Sequence, residues 1–119
     1  MVAIVSNCSA RAIRFYLERR DLDNFVVLVI GRTGHDPELL KPSPYLVKRA
    51  IEVLDADPAI CTMLGDSPTD IESAEQAGIA SIAYANRSGK RDQFIETKAE
   101  AIITNLADLV LRIRARSVT

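Results

Sequence analysis

Apolar and polar positions alternate along this chain in blocks rather than residue by residue. Short apolar runs occur at Met1–Val5, Phe25–Ile30, Ala59–Leu64, Ile79–Ala85 and Ala101–Thr104. Each has the length of a strand without period-two alternation, the pattern of a strand covered on both faces in a parallel sheet. Between them the spacing changes to that of helices. Ile13 and Leu17 share one face of a helix over about Ala10–Arg20, with Phe15 and Tyr16 beside them. Leu46, Val47, Ala50, Ile51 and Leu54 make the apolar stripe of a second helix. A third starts at Pro68, a short one at about Arg91, and the last runs from Leu106 to about Arg114 through Leu109, Val110 and Ile113. The punctuation agrees. Ser9, Ser43 and Ser67 stand where N-caps belong, Pro44 and Pro68 suit first helical positions, and Gly78 suits a C-terminal cap. Strands alternating with helices predict an α/β fold with a mainly parallel sheet and right-handed crossovers. With no internal repeat and no dividing linker, the 119 residues are expected to form a single domain, 1–119.

Composition narrows the function classes. Hydrophobic residues make up 48% and charged residues 26%, and the formal net charge is -1. No block of Lys and Arg points to nucleic acid, and Arg112, Arg114 and Arg116 read as a solvated face at a helix C-terminus. No apolar run approaches the roughly 20 residues of a membrane span. Cys8 and Cys61 read as small buried hydrophobes in a reducing compartment, so the expected location is the cytoplasm, with no membrane partner.

The chemistry-bearing residues gather at strand ends. Leu64-Gly65-Asp66-Ser67-Pro68-Thr69-Asp70 reads as a strand turning tightly into a helix, with Asp70 in the first helical turn on the positive end of the dipole. Taken alone, its acidic residues are ordinary caps. The Met1–Val5 strand, however, also ends in polar residues, Ser6 and Asn7, and Lys41 opens a crossing helix. Ligands bind at the carboxyl ends of strands in open α/β sheets. A hydroxyl, a cation and two carboxylates there are what phosphoryl transfer with a divalent metal needs. The carboxylates suit Mg²⁺, while Ser and Lys suit phosphate oxygens. Other candidates are weaker. His35 reads as a surface-loop residue, Gly31-Arg32-Thr33-Gly34 as a turn without the Lys-Ser/Thr of a phosphate loop, and Arg87 and Lys90 as surface charge.

These motifs together resemble the C-terminal part of the core domain of a haloacid-dehalogenase (HAD) superfamily hydrolase. Ile4-Val5-Ser6-Asn7 is similar to that family's second motif, Lys41-Pro42-Ser43-Pro44 to its third, and Gly65-Asp66-Ser67-Pro68-Thr69-Asp70 to its fourth. The resemblance covers nearly the whole chain. It implies a Rossmann-like three-layer sandwich truncated at its N-terminal side. It implies phosphate-binding roles for Ser6, Asn7 and Lys41, with Lys41 also a catalytic residue that holds the carboxylates in place. Asp66 and Asp70 would serve Mg²⁺, Asp70 directly or through water. A small phosphorylated metabolite is the implied partner.

The sequence departs from the pattern in one respect. The family's first motif, an Asp-x-Asp strand carrying the nucleophile, and the cap insertion that follows it have no counterpart ahead of Ser6. The expectation is a phosphatase-type core that is incomplete and inactive alone; the alternative is a noncatalytic phosphate- or metal-binding regulatory module. The family's first strand would lie between Val2–Val5 and Ile60–Leu64. The resemblance therefore also implies two inner strands with open edges, through which a homo-oligomer is expected.

Overall fold

Ser9 starts the first helix as expected: its side chain accepts from the backbone N–H of Ala12 at 3.2 Å, meeting one of the donors a helix start leaves unpaired. The computed structural model describes residues 1–117, and the side chains of Arg116 and Ser117 lie outside the described residues. The elements run in the order β1 (Ala3–Ser9), α1 (Ala10–Arg19), β2 (Leu28–Arg32), α2 (Tyr45–Leu54), β3 (Thr62–Gly65), α3 (Pro68–Gln76), β4 (Ala80–Tyr84), α4 (Arg91–Phe94), β5 (Ala101–Ile103) and α5 (Leu106–Ser117). This is the alternating α/β architecture that the apolar blocks predict, with the Rossmann-like arrangement that the resemblance implies. α3 closes at Gly78, whose φ of 78° lies where a side chain would be strained.

All strand pairings are parallel, and they form two pieces. β1 pairs with β2 in the register Ala3–Leu28, Ile4–Val29 and Val5–Ile30. β3 pairs with β4 from Thr62–Ala80 to Gly65–Ala83, and β4 pairs with β5 from Ile82–Ala101 to Tyr84–Ile103. β1 and β3 do not pair with each other. The burial pattern records the break. No residue of β1 is buried and only Gly65 of β3 is, although β4 holds three consecutive buried residues, Ser81, Ile82 and Ala83. Buried apolar residues lie in both halves. Ile71, Ala83, Ala85 and Phe94 pack together, with Ala99 and Ile102 against them. Leu17, Val29, Leu46, Val47 and Ala50 are buried on the β1–β2 side.

Several expectations shift, each for a local reason. The apolar run Ala59–Leu64 starts its strand late. Asp57 accepts from the N–H of Ala59 at 3.0 Å and, with Pro58, turns Pro58–Ile60 into a 3₁₀ turn. Ile60 is thereby left 82% exposed. Asp23–Phe25 makes a similar turn, so β2 begins at Leu28 rather than Phe25. Phe15 and Tyr16 are exposed rather than packed beside Leu17; the Arg19 and Arg20 guanidinium groups stack on their rings at 5.6 and 4.8 Å. Cys8 is exposed, since β1 loses its regular pairing after Val5, and Cys61 is half-buried; both are free thiols. α2 begins at Tyr45, one residue later than Pro44, and the Ser43 hydroxyl accepts from the Tyr45 N–H at 3.3 Å.

Candidate phosphate and metal site

The site grows from the end of β3. Gly65 is followed by a turn whose donors converge on one carboxylate oxygen. Asp70 Oδ2 accepts from the backbone N–H groups of Asp66 at 3.1 Å and Ser67 at 3.2 Å, and from the Ser67 hydroxyl at 3.1 Å. This is the reach-back half of a capping box, and it holds Asp70 in the first turn of α3. Only glycine permits the approach. A Cβ at position 65 would meet the Asp70 Cβ, with Cγ at 2.9 Å and Oδ2 at 2.8 Å.

The other oxygen of Asp70 binds Lys41. Lys41 Nζ donates to Asp70 Oδ1 and to the carbonyl of Val5 at 3.2 Å, and the Lys41 and Asp70 side chains are 11% and 9% exposed. Asn7 fixes the Lys41 backbone: its Oδ1 accepts from Lys41 N–H at 2.9 Å and its Nδ2 donates to Lys41 O at 3.3 Å. Asn7, Lys41, Asp70 and the Asp66 turn thus form one hydrogen-bonded chain across the ends of β1 and β3. Ser6 sits beside Val5 at the same end. Its hydroxyl accepts from the Cys8 N–H at 3.1 Å, which leaves its own O–H to donate elsewhere. His35 is in an exposed loop.

Asp66 differs from Asp70. Its side chain is 57% exposed, and its closest cation is Lys90, whose Nζ lies 3.8 Å from Oδ2 and donates to the Asp66 carbonyl at 2.8 Å. Lys90 is the site residue that sequence reasoning undervalued. Its side chain is 15% exposed, and the loop after β4 carries it back to the β3 turn, whereas Arg87 on the same loop is exposed. The signal was its place at the carboxyl end of a neighbouring strand. Ser43 and Ser73 were also missed as a linkage. The buried Ser73 hydroxyl donates to the Ser43 carbonyl at 2.8 Å, tying α3 to the start of α2.

The donor set decides which cation suits the site. Among the described residues no cluster of three or more His, Cys, Asp or Glu side chains could enclose a metal. With Asp70 taken up by Lys41 and the turn, Asp66 is the carboxylate left open. That fits Mg²⁺, which keeps several waters and binds through one or two carboxylates plus substrate phosphate; it does not fit a metal needing a closed protein cage.

The hydroxyl of Ser6, the ammonium of Lys41 and the carboxylates of Asp66 and Asp70 gather at the carboxyl ends of parallel strands, the side on which open α/β sheets bind ligands. A family model described as HAD-hydrolase-like matches residues 39–109, and the chain belongs to that family. It is 28% identical over 109 residues to the pyrophosphatase PpaX of Bacillus mycoides and 31% identical over 111 residues to that of Bacillus anthracis. Each match covers 92% of this chain and 50% of the relative. Among solved structures, a conserved haloacid-dehalogenase-like protein of unknown function from Agrobacterium tumefaciens superposes with a TM-score of 0.84 at 22% identity, over 97% of this chain and 54% of that one. A HAD-superfamily hydrolase from Ehrlichia chaffeensis gives 0.75 at 28% identity, over 95% and 49%. The chain therefore spans about half the length of the relatives it matches.

Proposed function

We propose that this chain forms the phosphate-binding and Mg²⁺-binding part of a phosphatase-type HAD hydrolase, directed at a phosphate ester or anhydride of a small metabolite. The observation that carries the reading is the continuous chain from Asn7 through Lys41 and Asp70 to the Asp66 turn. Lys41 has three N–H donors and gives two to Asp70 and Val5, so the third is the one to meet a phosphate oxygen. The Ser6 O–H supplies a second donor, and Asn7 acts by holding Lys41. Asp66 would hold Mg²⁺, and Asp70 supports it by fixing the Asp66 backbone. The chemistry such a cation supplies is neutralisation of charge on the phosphate oxygens.

These 119 residues by themselves are proposed to bind without turnover. The carboxylates at the site are Asp66, open for a cation, and Asp70, fully engaged. Neither is left to act as a nucleophile, and a covalent route requires one. The same observation favours the second reading, a noncatalytic binding module. Titration of Mg²⁺ with inorganic phosphate, followed by NMR at Asp66, Lys41 and Ser6, tests the proposal. Shifts lost in Asp66→Asn, with no phosphate released from an aryl phosphate, are the expected outcome. Steady turnover abolished by Asp66→Ala, or Mg²⁺ binding unaffected by Asp66→Asn, contradicts it.

A further inference from the structure

Three cations, Arg87, Lys90 and Arg91, fall within five residues of the loop after β4, in a chain whose formal net charge is -1. The turn that carries them is closed by the Lys90 N–H, which donates to the Arg87 carbonyl at 3.2 Å. Gly89 stands in its third position with a φ of 86°, a conformation that glycine adopts without strain. The start of the loop is tied to the end of β5, because the Ala85 N–H donates to the Ile103 carbonyl at 2.8 Å. A cavity of about 330 Å³ lies between, with Asn86, Arg87, Ser88, Arg91 and Thr104 among its lining. It stands at the carboxyl ends of β4 and β5, the same side of the sheet as the Asp66 turn.

The lining consists largely of donors. Among the described residues neither the Arg87 nor the Arg91 guanidinium pairs with a carboxylate, and Asp92, the adjoining acid, does not line the cavity. Arg19 and Arg20, in contrast, are stacked on Phe15 and Tyr16. A guanidinium offers its N–H groups in a planar fork that matches two oxygens of a carboxylate or phosphate. The Ser88 and Thr104 hydroxyls and the Asn86 amide add neutral donors. Two uncompensated charges around one concavity concentrate the field on an anion. The volume is at the lower end of the roughly 300–1,000 Å³ of ligand pockets, which suits one oxyanion with its water rather than a large apolar group. Lys90 ties this cavity to the Asp66 turn. Its side chain is 15% exposed and crosses to β3, where it gives one of its three N–H groups to the Asp66 carbonyl at 2.8 Å.

We infer that this loop forms an oxyanion subsite, which takes a phosphate or carboxylate group between Arg87 and Arg91, one lysine side chain away from the Asp66 turn. The anion has two conceivable sources. One is the far end of a substrate whose reacting phosphate lies at Ser6 and Lys41, a source that rests on the proposed function and makes that substrate doubly anionic. The other is a separate small anion. The shared sheet end and the Lys90 bridge favour the first.

The test is a titration of the isotope-labelled chain in metal-free buffer, followed by NMR, with inorganic phosphate and separately with inorganic tripolyphosphate. Phosphate should shift the Ser88, Gly89 and Thr104 amides saturably. Arg87→Gln combined with Arg91→Gln removes charge-assisted bonds and should weaken that binding about tenfold. Arg19→Gln combined with Arg20→Gln removes the same charge elsewhere and should change it less than about twofold, since distant exposed charges are screened. Tripolyphosphate identifies the source. Binding more than about tenfold tighter than phosphate, with Ser6 and Thr104 shifting together and the advantage lost in the Arg87 and Arg91 double variant, assigns the subsite to the far end of the substrate. Equal affinities, with Thr104 shifting independently of Ser6, assign it to a separate anion. Two results overturn the inference. One is no saturation at Ser88 and Thr104 by about 10 mM phosphate, tenfold beyond millimolar affinity. The other is an equal loss in the Arg19 and Arg20 double variant. Saturation at Thr104 with silence at Ser6 and Lys41 counts against the proposed function alone, and the reverse counts against the subsite alone.

Discussion

Replacing Lys41 with methionine keeps most of the side-chain volume and removes the ammonium. The charge it leaves behind is nearly dry, because both partners of the Lys41–Asp70 pair are about nine-tenths covered. Removing one partner of a buried ion pair costs about 3–5 kcal/mol, chiefly because the other charge is left uncompensated. Asp70 Oδ2 keeps its three donors from the Asp66 and Ser67 turn, which places the expected loss at the lower end, about 3 kcal/mol. The Val5 carbonyl loses its Lys41 donor as well. With a urea slope of about 1–2 kcal/mol per M for a domain of this size, the unfolding midpoint should fall by about 2 M. A double-mutant cycle with Asp70→Asn should show the double variant losing about 2 kcal/mol less than the sum of the singles, since each single strands the same interaction. A Lys41→Met loss below about 1 kcal/mol, the range of exposed ion pairs, would refute the reasoning, as would a strictly additive cycle.

Gly65→Ala forces its Cβ into the Asp70 side chain, so it should cost about 1–3 kcal/mol in thermal or urea unfolding and reduce the Lys41–Asp70 coupling measured in the same cycle. Ser73→Ala removes the donor to the Ser43 carbonyl, and a loss of about 1–2 kcal/mol is expected by urea titration. A neutral result at Ser73 would mean that the α2–α3 link carries no stability. Phe15→Ala, at an exposed ring, should change stability by less than about 1 kcal/mol, the reach of an exposed cation–π contact.

Local chemistry was legible in the sequence wherever it was decided within a few residues. Ser9, the Ser67–Pro68–Asp70 start of α3 and Gly78 do what their spacing predicts, because caps and turns are short-range. The meeting of Asn7, Lys41 and Asp70 was legible too, since all three stand at strand or helix ends on one side of a parallel fold. Apolar content misled where a turn competed with a strand. Ile60 belongs to a hydrophobic run, yet Asp57 and Pro58 spend it on a 3₁₀ turn in solvent. Phe15 and Tyr16 fit no packed surface, and periodicity alone does not say which neighbours cover a face. Lys90 was obscured for the opposite reason. Its contact with Asp66 spans 24 residues and depends on how the loop after β4 folds back.

The polar contacts described between the half-sheets sit at one end. Lys41 to Asp70 and Ser73 to Ser43 both lie near the carboxyl ends of the strands or the helix starts beside them. Toward the amino ends, where Met1 and Val2 are exposed, no ladder joins β1 to β3. Such a molecule is clasped like a clothes-peg. Asn7, Lys41, Asp66 and Asp70 stand at that clasp, so the contacts that join the two halves are the same ones that hold the candidate site together.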